Sequence, residues 1–159
     1  MKPATLVQIR KELETISPQR LMALTLRLIK LKSENKEFVS YLLFDEDQLS
    51  EYLADLKFEI SEVLDGASFS QSLIAKKALR KCQKFITKHA RYMGSKDAEA
   101  ELYMFMIRKI HEKGINKYTH RTIQIIYLRC IERVKKLLPN IHDDLRGDFE
   151  IEIQNLLKY

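Results

Sequence analysis

The chain has 159 residues, 45% of them apolar and 31% charged, with a formal charge of +6, the composition of one globular domain that spans residues 1–159 and folds without disulfides or metal. Its longest apolar run, Leu102–Ile107, is six residues, far short of the ~20 of a membrane span, and no apolar stretch follows Lys2 to make a secretory signal. Two cysteines make no disulfide scaffold and suit a reducing cytoplasm, so membrane, secreted-scaffold and fibrous classes are excluded.

Proline and glycine punctuate the chain sparsely. Pro3, Pro18 and Pro139 leave the 120 residues Gln19–Leu138 without a proline, and Val and Thr number only four and six. An all-β chain would need more turns and more β-branched residues, so the composition predicts an all-α fold. Thr5 with Gln8 predicts a capping box and a helix over 6–15. Ser17-Pro18 opens a second helix to about Leu31. A break near Ser33 starts a third, ending near Phe44. Asp45 with Gln48 caps a fourth, to Leu64, stopped by Gly66. Ser70 opens the fifth and longest, over 70–92, with Gly94 beyond. Residues 96–113 form the sixth, closed by Gly114. Thr119 opens the seventh, which runs to Leu138 before Pro139. The eighth covers 141–157, with Gly147 as a possible kink. Phe149, Ile151 and Ile153 alternate like a strand, and Ile123–Tyr127 are β-prone. Both stretches lie in longer helical spacing and are read as helix. Eight helices in antiparallel hairpins are expected, as a helical bundle or a short αα-superhelix. The expected core includes Leu24, Leu28, Leu53, Leu56, Ile60, Leu79, Cys82, Phe85, Ile86, Met106, Ile110, Tyr127, Ile131 and Val134.

Charge is distributed unevenly. Residues 67–94 carry Lys76, Lys77, Arg80, Lys81, Lys84, Lys88 and Arg91 without one acid, leaving 21 basic against 22 acidic residues elsewhere. At ~100° per residue the seven fall within an arc of about 140°. The preceding segment, 34–65, holds ten acids against Lys36 and Lys57. Asp47, Glu51, Asp55, Glu59 and Glu62 gather on one face of its helix. The seventh helix repeats the basic pattern with Arg121, Arg129, Arg133 and Lys136. If helices five and seven share a layer, a joint basic surface follows. Three readings stay open for the basic face: a solvated surface balanced by the acidic neighbour, a binding site for nucleic acid or another polyanion, and a site for an acidic protein partner.

Other chemistry has little support. No phosphate-cradling loop, Gly-x-Ser-x-Gly elbow or His-Glu-x-x-His pair occurs. His89, His111, His120 and His142 share no helix spacing and read as surface or helix-end residues, not metal ligands. Cys82 and Cys130 lie on apolar faces, where a thiol is a small hydrophobe rather than a nucleophile. The carboxylate runs Asp45–Asp47 and Asp143–Asp144 sit at helix starts, as the helix dipole favours. No catalytic residue, cofactor or metal is expected. The Tyr103–Met106 cluster wraps its helix, which suits a central core or an interface. Phe58 stands on the acidic face. Phe58, Tyr103 and Phe105 are therefore candidates for contact with a protein partner or a second copy.

The stretch Leu13-Glu14-Thr15-Ile16-Ser17-Pro18-Gln19-Arg20-Leu21 and the basic amphipathic Ile74–His89 resemble a family of small uncharacterised all-helical bacterial proteins with no assigned activity. The resemblance covers about the first two thirds of the chain. It implies a bacterial, cytoplasmic, all-α domain and transfers no site residue. The expected function is a non-enzymatic helical interaction module engaging a protein or polyanion. The alternative is nonspecific nucleic-acid binding by the basic faces of helices 70–92 and 119–138.

Overall fold

A computed structural model describes residues 2–114 and 120–157. Among these residues the chain is all-α, with eight α-helices and no strand. The helices are α1 (Leu6–Thr15), α2 (Pro18–Leu31), α3 (Ser33–Ser40), α4 (Leu49–Asp65), α5 (Ser72–Met93), α6 (Lys96–Glu112), α7 (Arg121–Leu137) and α8 (Asp143–Leu156). They match the expected elements closely, and both β-prone stretches are helical. Gly147 does not interrupt α8. The chain divides into two compact units, Met1–Phe44 and Asp45–Tyr159.

Local chemistry explains most helix ends. Thr5 and Gln8 form the capping box of α1, and the Ser17 hydroxyl accepts the Arg20 N–H at the start of α2. Gly94 ends α5 at φ 62°, where a side chain would be strained. Two starts differ from expectation. Asp45 makes no side-chain cap; a π-helical turn (Tyr41–Asp45) and a 3-10 turn (Glu46–Gln48) lead into α4 instead. The Ser70 hydroxyl bonds that of Ser68 at 2.7 Å, and α5 begins at Ser72. Thr119 lies outside the described residues. The caps of α7 and α8 are imidazoles: Nδ1 of His120 accepts the Thr122 N–H at 3.2 Å, and Nδ1 of His142 accepts that of Asp144 at 3.4 Å.

In the N-terminal unit α2 packs against α3, yet α1, α2 and α3 contain no buried residue. Leu24 is half-buried and Leu28 is 59% exposed. Both were expected in the core. Their helical spacing is real, but no element of the unit covers it fully.

The C-terminal unit holds the core. Cross-helix contacts set its directions. Tyr52 meets His89 while Ile60 lies with Cys82, so α4 and α5 are antiparallel. Lys57 meets Glu101 and Asp65 meets Lys109, so α4 and α6 run the same way. Glu99 meets Arg133 and His111 meets Tyr127, making α6 and α7 antiparallel. The His142 N–H donates to Asp97 at the start of both helices and Arg108 reaches Glu152 with two nitrogens, each at 2.6 Å, so α8 runs parallel to α6. The result is two layers, α4-α6-α8 and α5-α7, each parallel within itself. The expected shared layer for the fifth and seventh helices is present. At the centre, α6 buries Leu102, Tyr103, Met104, Met106, Ile107 and Ile110. The remaining expected core residues are buried, apart from Phe85, which is half-buried against the cluster.

Candidate functional site

On α5 the apolar and basic arcs separate as the sequence implies. Ala75, Leu79, Cys82, Ile86 and Tyr92 are buried. Lys77, Arg80, Lys81, Lys84 and Arg91 are exposed, and Lys76 and Lys88 are half-buried. Helix 5 is 22 residues long, about 33 Å at the helical rise. Arg80, Gln83, Lys84, Thr87, Lys88 and Arg91 line an open hollow of about 650 Å³. Their spacing puts them on one side over three turns. The hollow's floor is held in place. Gln83 Nε2 reaches Cys130 Sγ at 3.3 Å, and the Thr87 hydroxyl donates to the Gln83 carbonyl at 2.8 Å while lying 3.3 Å from the Tyr103 hydroxyl. Lys88 Nζ stands 5.8 Å from the Phe85 ring centroid.

The acidic neighbour does not neutralise this face. Among the described residues no ion pair engages Lys76, Lys77, Arg80, Lys81 or Lys84, and none engages Asp47, Glu51, Asp55, Glu59 or Glu62. The Lys57 ammonium on α4 bonds Glu101 of α6 instead. Helices 4 and 5 pack through apolar flanks, and Glu59 and Lys81 line one small hollow between them without forming an ion pair.

On α7, Arg129 and Lys136 are exposed. Arg133 is not free for a ligand in the same way. Its Nε donates to Glu99 Oε1 at 2.7 Å, Nη2 donates to the same oxygen, and Glu99 is 5% exposed. Lys96 Nζ is 3.7 Å from the other carboxylate oxygen. Arg133 thus neutralises an acid of α6 that sequence spacing did not connect to it. Arg133→Ala is expected to lower stability by about 2–3 kcal/mol, because it strands a desolvated carboxylate. Arg129→Ala should stay within about 0.5 kcal/mol. Urea unfolding of both variants checks this, and equal losses would remove the pair's structural role.

Of the proposed partner-contact residues, Phe58 is 67% exposed. Tyr103 is buried and Phe105 is half-buried against the core with Lys57 Nζ 6.0 Å from its ring. Tyr103 faces inward because α6 is surrounded, so it offers no contact surface. His89 also departs from expectation. It is buried, with Nδ1 2.6 Å from the Tyr52 hydroxyl and the Phe85 and Tyr92 rings 4.3 and 5.3 Å away. The row Leu79, Cys82, Ile86, His89 carries the signal, since a histidine continuing a 3-4-3 apolar row belongs to the buried face.

Burial pushes the Cys82 thiol up to about 12 and the Cys130 thiol up to about 11. Both are protonated at neutral pH, and neither is a nucleophile there. Among the described residues no group of three His, Cys, Asp or Glu side chains is placed to hold a metal ion, and no helix is long and apolar enough to cross a membrane. No protein-family model, curated protein or solved structure matches the chain.

Proposed function

We propose that the chain is a non-enzymatic interaction module that binds a phosphate-bearing polyanion along the basic face of α5. One observation carries this reading: five cations of that face stand unneutralised although an acidic helix packs alongside. Had the acidic neighbour balanced these five, they would pair with its carboxylates across the helices. Lys76, Arg80, Lys84 and Lys88 recur every turn, a row ~18 Å long at the helical rise. That length follows several phosphates of a nucleic-acid backbone, and Arg91 extends it. Arg129 and Lys136 of neighbouring α7 add charge to the same layer. Lysine-rich contact with phosphate gives affinity without base readout, and it needs no cofactor.

A labelled DNA duplex titrated at ~50 mM salt tests the proposal. If about five phosphates are contacted, log affinity falls with log salt at a slope near −4.5. Arg80→Glu/Lys84→Glu should weaken binding to every duplex alike by at least ~100-fold at low salt while the melting temperature stays within a few degrees. Absence of binding by the parent protein, or equal binding by the variant, refutes the reading.

A further inference from the structure

Helices 1 and 2 carry an unfilled coiled-coil seam. On α1, Leu6, Ile9 and Leu13 recur at intervals of three and four, and on α2, Leu21, Leu24, Leu28 and Leu31 recur at three, four and three. This spacing builds a knobs-into-holes interface between two helices. All of these are exposed except Leu24, which is half-buried. Every residue of α1 is exposed, Leu6 to 84%, and on α2 Leu28 and Leu31 are 59% and 71% exposed. Helices of 10 and 14 residues are marginal in water unless an apolar face is covered.

Every residue of α1 is exposed, so α1 does not lie on its own α2; Ile16 and Ser17 between them are extended, at ψ 155° and 153°. The flanking charges agree. In the heptad register the flanks of α1 are Arg10 and Glu12, and those of α2 are Arg20, Thr25 and Arg27. Antiparallel pairing sets equivalent flanks against each other, which puts Glu12 beside Arg20 and Arg27. Pairing α2 with a second α2 would oppose arginines. Among the described residues none of Glu12, Arg20 and Arg27 is engaged in an ion pair.

We infer that the chain forms a twofold dimer by exchanging α1, the row of one copy lying antiparallel on the α2 row of the other. Two copies satisfy each other reciprocally, and the two-residue linker is the hinge of the exchange. This interface uses no residue of the α5 face and stands apart from polyanion binding.

Light scattering on the full chain from ~1 to ~100 µM is expected to show a dimer at the upper end. Leu28→Gln/Leu31→Gln keeps helix propensity while removing half of the α2 row. It should raise the concentration of half-dimerisation at least ~100-fold. Leu73→Gln removes a leucine 72% exposed on α5 and should leave the mass unchanged. Glu12→Arg should weaken the dimer about tenfold, and adding Arg20→Glu and Arg27→Glu should restore it. Because Glu12 is exposed, this exchange is readable even if the glutamine pair unfolds α2. A monomer at every concentration overturns the inference, as does a dimer indifferent to Glu12→Arg or sensitive to Leu73→Gln.

Discussion

Raising the pH from 9 to 11 is expected to remove about 4 kcal/mol of stability through Cys82 and Cys130 alone. The sign follows from where each thiol loses its proton. In the unfolded chain both ionise near 9, while in the fold burial holds them to about 12 and 11. Below pH 9 both states keep both protons, and the full stability is present. Above it only the unfolded chain releases them, so each thiol costs ~1.4 kcal/mol per pH unit. The loss ends near pH 11 for Cys130 and near 12 for Cys82. Tyr103 and Tyr127 shift upward as well, chiefly by burial, and act in the same direction. A domain has only ~5–15 kcal/mol in total, so unfolding should occur at moderate denaturant by pH 11. Urea midpoints across this range measure the effect. The Cys82→Ala/Cys130→Ala variant should lose most of the slope, and an unchanged slope would rule out the thiols as its cause.

A second large effect is expected at the central helix. Ile107 of α6 is fully buried, and Ile107→Ala should cost about 3–5 kcal/mol, part of it from the cavity left behind. Phe105→Ala, at a half-buried site, should cost less. Phe58→Ala should leave stability within about 0.5 kcal/mol, because its ring is already mostly in water. Chemical denaturation of the three variants checks the order. A loss at Phe58 as large as that at Ile107 would contradict the placement of the core.

Helix boundaries were legible because caps and stops are local, as with Thr5–Gln8, Ser17-Pro18 and Gly94. The two arcs of α5 were legible because charge and apolar period agree over six turns. Whether an apolar row is covered depends on distant elements, and local pattern is silent on that. Leu28 and Tyr103 show the two outcomes: one regular row lies exposed, while the other is enclosed on all sides. Cross-helix partners were equally hidden. Arg133 and Glu99 are 34 positions apart, as are no obvious periodic partners, and only the antiparallel register of α6 and α7 joins them. His89 was readable in hindsight from its apolar row, but its bond to Tyr52 was not.

The opposite charge of α4 and α5 has a further physical consequence. Residues 45–65 carry eight acids against Lys57, and residues 67–94 carry seven bases and no acid; packed side by side, they give the C-terminal unit a strong electric dipole. A net charge of +6 attracts a polyanion from any direction, whereas a dipole exerts a torque on the approaching molecule. The acidic helix is repelled and the basic helix drawn in, so encounters are oriented before contact. Orientation of this kind raises the association rate and fades as salt shortens the Debye length to ~8 Å at physiological strength. On the polyanion reading proposed above, the carboxylates of α4 aim the lysines of α5 rather than offset them.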